Sequence, residues 1–107
     1  MSALEKIYEH YGKRRELAVP EWGFTLYWKP INALEQAEVT AMGKELKDTN
    51  LKSMIRMIVR KAEDQAGAKL FQPEDVDGLY KQADYMLINR VYGTMANLIT
   101  PDDAVKN

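Results

Sequence analysis

The spacing of apolar positions changes along the 107 residues, and each change marks an element. Leu4, Ile7, Tyr8 and Tyr11 recur at i, i+3, i+4 and i+7, one face of a helix. Ser2 and Glu5 can close a capping box in front of them, and Gly12 is a natural stop. A helix over residues 2–12 is therefore predicted. The period then falls to two. Leu17 and Val19 alternate with Glu16 and Ala18, and Phe24, Leu26 and Trp28 alternate with Thr25, Tyr27 and Lys29, the pattern of half-buried strands. Between the runs, Pro20-Glu21-Trp22-Gly23 can turn the chain, because proline presets φ and glycine tolerates positive φ. This predicts a hairpin over residues 16–29. Two strands alone are marginal in water, so the hairpin must lean on helices or on another chain.

After Pro30 the helical period returns. Asn32 and Glu35 form a second capping-box pair ahead of a helix over 33–46. Leu34, Ala37 and Ala41 share one face, and Val39, Met42 and Leu46 make an offset stripe. Asp48-Thr49-Asn50 breaks this helix and caps the next. The clearest amphipathic segment is 51–63, where Leu51, Met54, Ile55, Ile58, Val59 and Ala62 fall in one arc. Gln65-Ala66-Gly67-Ala68 reads as a turn and Lys69-Leu70-Phe71 as a short apolar link. Pro73-Glu74-Asp75 reads as a helix start, with acids facing the positive end of the helix dipole. A last helix over 84–98 carries Leu87, Ile88, Val91, Tyr92, Met95, Leu98 and Ile99 on a broad apolar face. Thr100-Pro101-Asp102-Asp103 ends it, and a loose tail over 100–107 is expected. The fold class is thus α+β and mainly helical: one short β-hairpin, about 16–29, packed with four to five helices. The length suits a single domain over 1–107, with 33–98 as its helical part.

Composition narrows the chemistry. The chain has no cysteine and one histidine, His10. Disulfides, thiolate metal sites, cysteine nucleophiles and two-histidine metal motifs are therefore ruled out. Adjacent carboxylates (Glu63/Asp64, Asp102/Asp103) would point about 100° apart on a helix and share no site. The cluster Glu74, Asp75 and Asp77 could suggest a metal or acid–base site, but helix capping accounts for Glu74 and Asp75, and the spacing fails the twelve-residue calcium loop. No glycine-rich phosphate loop occurs. The sequence therefore predicts no catalytic residue, metal or cofactor, and a protein that is not an enzyme.

Charge adds one more exclusion. Lys and Arg total 15 against 16 Asp and Glu, spread evenly along the chain. Nucleic-acid binders usually carry a basic footprint. Two basic groups could still serve that role: Lys13-Arg14-Arg15, and Lys52, Arg56 and Arg60 at i, i+4 and i+8. Flanking acids favour an ordinary solvated connector and face for both. No apolar run approaches the ~20 residues of a membrane span, and Met1-Ser2-Ala3-Leu4-Glu5 lacks the pattern of a secretory leader. Charge is uneven only around the final helix. Its second face holds Met86, Asn89, Arg90, Gly93, Thr94, Ala96 and Asn97, with Arg90 its single charge. Such a face is expected to be covered by a neighbouring subunit or client. Six Met and ten aromatic residues supply adaptable contact area for the same purpose.

The order of these segments resembles the tail assembly chaperones of long-tailed bacteriophages and prophages. The resemblance is carried by Leu17-Ala18-Val19-Pro20-Glu21-Trp22-Gly23 before an alternating strand, Pro30 and a helix with Glu35. The helix over 51–62 with Glu63-Asp64 and a glycine turn continues it, followed by Lys69-Leu70-Phe71, Glu74-Asp75-Val76 and a closing helix over 88–98. It covers about residues 16–98, and the leading helix is an addition. The resemblance implies a non-enzymatic factor that binds the tape measure protein, keeps it soluble and leaves when the tail tube polymerises. It also implies contact with the tail tube protein and with a frameshifted longer form of the chain, self-association as a homo-oligomer, no membrane partner, and a place in the host bacterial cytoplasm and outside the mature virion. The residues expected to meet partners are Trp22, Tyr27 and Trp28 on the hairpin and Met86, Asn89, Gly93 and Ala96 on the last helix. A structural component of the neck or tail, and a small nucleic-acid-binding phage regulator, are the alternative readings.

Overall fold

A computed structural model describes residues 2–98. The expected tail over 100–107 lies outside the described residues. Five helices and one antiparallel hairpin follow in the order α1 (Ala3–Gly12), β1 (Arg15–Val19), β2 (Phe24–Trp28), α2 (Ala33–Leu46), α3 (Asn50–Lys61), α4 (Asp75–Gln82) and α5 (Tyr85–Met95). This is the α+β, mainly helical architecture that the periodicity predicts.

Local chemistry explains most boundaries. The Ser2 hydroxyl accepts from the Glu5 N–H, and the Thr49 hydroxyl from the Lys52 N–H. Asn32 and Glu35 form a complete capping box. Asp84 caps α5 by accepting from the N–H groups of Met86 and Leu87. The start of α4 differs from expectation. Pro73 and Glu74 lie in a turn, and the helix opens at Asp75, whose carboxylate accepts from the Gln72 N–H at 2.8 Å. Two helices end in left-handed residues other than glycine, Lys47 (φ 57°) and Asn97 (φ 59°). In both, the next N–H returns to a carbonyl five residues back: Asp48 to Gly43 at 2.8 Å and Leu98 to Gly93 at 2.7 Å. That pairing satisfies carbonyls the helix leaves free.

The hairpin pairs Leu17 with Leu26 and Arg15 with Trp28. The Val19 carbonyl accepts from the N–H groups of both Trp22 and Gly23, and Gly23 takes φ 80°. Alternation places Leu17, Val19, Leu26 and Trp28 inward. The hairpin leans on its own chain at a second edge. Tyr27 exchanges both backbone hydrogen bonds with Glu63, at 2.9 and 2.8 Å, and Glu63 in turn bridges to Lys69.

Helix α3 is the axis of the molecule, with α2, α4 and α5 packed on it. Its arc of Ile55, Ile58, Val59 and Ala62 joins Leu17, Val19, Leu26, Trp28, Val76, Ile88, Val91 and Met95 in one core. Met57 and Lys61, outside that arc, are also buried, because α3 is surrounded on more than one side. On α2 the offset stripe turns inward through Val39, while Leu34, Ala37 and Ala41 face outward. Gly43 sits where α2 meets α3, and a Cβ built there would lie 2.7 Å from the Ser53 hydroxyl. Helix α1 is the exception to this packing: it forms as predicted but buries none of its residues.

Candidate interaction surfaces

The basic groups read from the sequence are occupied within the chain. Lys52 pairs with Asp77 at 2.9 Å, Arg56 with Asp48 at 2.5 Å, and Arg60 with Glu38 at 2.8 Å. The expectation of a simply solvated face is therefore corrected: this stripe ties α3 to α4, to α2 and to the segment between α2 and α3. Within Lys13-Arg14-Arg15, the Arg14 guanidinium donates to the Asp64 and Gln65 carbonyls at 2.6 and 2.9 Å. It also lies 4.8 Å from the centre of the Tyr27 ring. Arg14 thus ties the start of the hairpin to the loop after α3, so this part of the triplet is more than a connector. Asp77 is held below its usual pKa, first by the Lys52 hydrogen bond and then by its charge.

A buried ion pair accompanies these clamps. Lys61 Nζ lies 2.9 Å from both Glu35 carboxylate oxygens, with the Tyr11 ring 5.5 Å away. Burial disfavours the ionised form of Glu35. Hydrogen bonds from Lys61 and from the Asn32 N–H, with the charges of Lys61 and Arg60, outweigh it and lower the pKa. One carboxylate thus caps α2 and fixes α2 to α3.

The seven residues expected to meet partners separate into two sets. Trp28 is 2% exposed and Gly93 is buried. Both are enclosed by the chain's own fold and offer no surface to a partner in this conformation. For Trp28 the strand alternation points inward; for Gly93 the end of α5 is buried on more than the face that Ile88, Val91 and Met95 define. The remaining five keep accessible surface. Trp22 is half-buried and stacks near Phe24 and Phe71, with ring centres 6.0 and 6.5 Å away. Tyr27 is half-buried, with its pKa raised first by desolvation and then by the nearby Glu16 charge. Met86 is 70% exposed beside Tyr85 at 60%. Asn89 donates to the Tyr85 carbonyl, and Ala96 lines a cleft against Ile7 of α1.

The second face of α5 is accordingly only partly open. Thr94 is buried and its hydroxyl donates to the Arg90 carbonyl. Arg90, the single charge there, reaches the hairpin turn and lies 2.6 Å from a Glu21 carboxylate oxygen. The hydrogen bond from Arg90 is the first cause of the lowered Glu21 pKa. Burial accounts for the low charge at Gly93 and Thr94, while Met86 at the start of the face stays exposed.

Sequence reading missed two features. The first is Phe71, which completes an aromatic cluster with Trp22 and Phe24; its place in a link gave no periodicity to read. The second is an open apolar groove of about 380 Å³ between α2, α3 and the segment leading to α4. Its lining includes the apolar Val39, Met42, Val59, Phe71 and Val76 and the charged Lys69, Glu38 and Arg60, the last two paired with each other. Among the described residues there is no cluster of three or more His, Asp or Glu side chains placed to hold a metal, and no helix long and apolar enough to cross a membrane. Comparison of the chain with protein-family models, curated proteins and solved structures returns no match.

Proposed function

We propose that this chain is a tail assembly chaperone that covers apolar surface on the tape measure protein until the tail tube polymerises around it. One observation carries the reading. Eleven large hydrophobic side chains remain at least 37% exposed among the described residues, on α1, α2, α4, α5, the hairpin and, at Leu98, just past α5. Large exposed apolar side chains supply area that a partner can cover, and Tyr85 and Met86 at the start of α5 are among the most exposed of them. The order of segments over residues 16–98 supports the same reading. The occupied state of Lys52, Arg56 and Arg60 supports it against a phosphate-binding regulator, since each charge already has a carboxylate partner.

Coexpression with a tape measure protein encoded beside it is the test. The expected result is co-purification and a larger soluble fraction of the long partner. Met86→Glu, at a position too exposed to matter for folding, should reduce that capture while the variant melts like the parent. If neither co-purification nor a solubility gain is seen, the assignment fails. Mass spectrometry of purified particles separates the chaperone from a structural neck or tail component, because a chaperone is absent from finished particles.

A further inference from the structure

Helix α2 rests on α3 along a narrow seam. Of its 14 residues only Val39 and Gly43 are buried. At about 100° per residue, Glu38 and Met42 fall to one side of Val39, and Gln36, Thr40, Lys44 and Lys47 fall to the other. Each side opens into a groove, and Val39 lines both. Charge separates the two. In the groove toward α4, Glu38 and Arg60 pair with each other, and the Lys69 ammonium donates to the Arg60 carbonyl. The groove on the other side, of about 600 Å³, lies between α2, α3 and Tyr92 of α5. The one acid in its lining, Asp48, is spent on Arg56, and its side chain is 2% exposed. Among the described residues neither Lys44 nor Lys47 has a carboxylate partner, and both are exposed. Lys44, in the last turn of α2, also complements the helix dipole. Lys47 has no such local reason: it stands at φ 57°, where glycine would be unstrained.

We propose that the groove between α2, α3 and Tyr92 docks an amphipathic helix of a partner protein, apolar side inward, with carboxylates that meet Lys44 and Lys47. The unneutralised lysines select an acidic occupant, since opposite charge across an interface favours the right partner and like charge rejects the wrong one. The apolar part of the lining, Val39, Met54, Met57 and Tyr92, receives the occupant's apolar side, and methionine adapts its shape to what it covers. From Gln36 to Lys47 the groove follows α2 for roughly 16 Å, the length of about three helical turns. A helix laid in a groove between helices is a recurrent mode of peptide recognition. Nucleic acid fits less well, because its affinity rests on several phosphate contacts and only two free charges stand here. One short helix buries less than about 1,200 Å², which makes the contact weak and reversible. The inference stands independently of the function proposed above, and no tape measure protein enters its test.

The test uses the full chain and a fluorescein-labelled synthetic helix of about three turns, with leucines along one face and glutamates flanking them. Fluorescence anisotropy at low salt should give a dissociation constant of roughly 10 µM to 1 mM. The same peptide with lysine in place of each glutamate should not bind. Lys44→Gln/Lys47→Gln should weaken the acidic peptide about three- to tenfold, the worth of two exposed ion pairs, and should flatten its salt dependence. Thr40→Trp, which fills the groove from an exposed position, should abolish binding, whereas Met42→Lys in the neighbouring groove should leave it unchanged. All of these side chains are exposed, so the variants should melt like the parent. No binding of the acidic peptide up to about 1 mM overturns the proposal. So does equal binding of the two peptides, a double lysine variant that binds like the parent, or loss in Met42→Lys with none in Thr40→Trp. Tighter binding of a single-stranded oligonucleotide that depends on Lys44 and Lys47 also overturns it, in favour of a nucleic-acid site.

Discussion

Glu35 concentrates the most function in one side chain of the fold. It accepts the Asn32 N–H at 3.0 Å and pairs with Lys61, a residue only 6% exposed. Removing one partner of a buried pair leaves the other charge uncompensated, which costs about 3 kcal/mol. Glu35→Gln should therefore lower stability by about that amount at neutral pH in chemical denaturation. The pH dependence has a definite sign. Glu35 is lowered in the folded state, so its contribution is complete above the unfolded carboxyl pKa and is lost as pH falls through the folded value. Stability of the parent should fall through the acid range below about pH 4.3, the ordinary glutamate value, and the fall should be shallower in the Gln variant. Lys47 makes the opposite kind of prediction. It holds φ 57° at the end of α2, a conformation that side chains with a Cβ disfavour by about 1 kcal/mol. Lys47→Gly should raise stability by up to about 0.5 kcal/mol once the entropy of the unfolded glycine is subtracted, read as a small rise in the denaturation midpoint. Glu35 was legible through its spacing from Asn32. Its second partner was not, because 26 residues separate Glu35 from Lys61.

At the scale of elements, helices and hairpin were readable because each local period repeats within one segment. What the periods left open was which face of each element finds cover. Helix α2 carries two weak stripes, and α3 accepts the one with Val39 because Gly43 lets the two backbones come close there. Gly43→Val should cost about 1–3 kcal/mol by overpacking against Ser53, read as a lower melting temperature with helicity otherwise intact. Helix α1 is the converse. Its apolar face is the regular amphipathic pattern of a packed helix, yet it is uncovered within the chain. Ile7→Glu should then change stability by less than about 0.5 kcal/mol. Ile58→Ala, at a fully buried position on α3, should cost about 2–5 kcal/mol. A large loss from Ile7→Glu in the monomer would show that α1 belongs to the core.

Across the whole molecule, the charge pattern is organised around α3. Lys52, Arg56, Arg60 and Lys61 are all consumed by carboxylates of α2, α4 and the segment between α2 and α3. What remains outward includes large apolar side chains: the α1 face, Leu34 and Leu46 on α2, the groove around Met42, and Tyr85-Met86 on α5. Spacing along the chain was enough to give the helices, the hairpin, most caps and the inward alternation of Leu17, Val19, Leu26 and Trp28, because these depend on interactions a few residues apart. It was also enough to mark the absence of cysteine chemistry. The neutralised basic stripe, the Arg90–Glu21 link, the buried Gly93, the aromatic cluster at Phe71 and the open groove emerged only when the chain was folded. Each joins residues distant in sequence, and whether an apolar or charged side chain is spent inside the fold or left for a partner depends on what lies across from it.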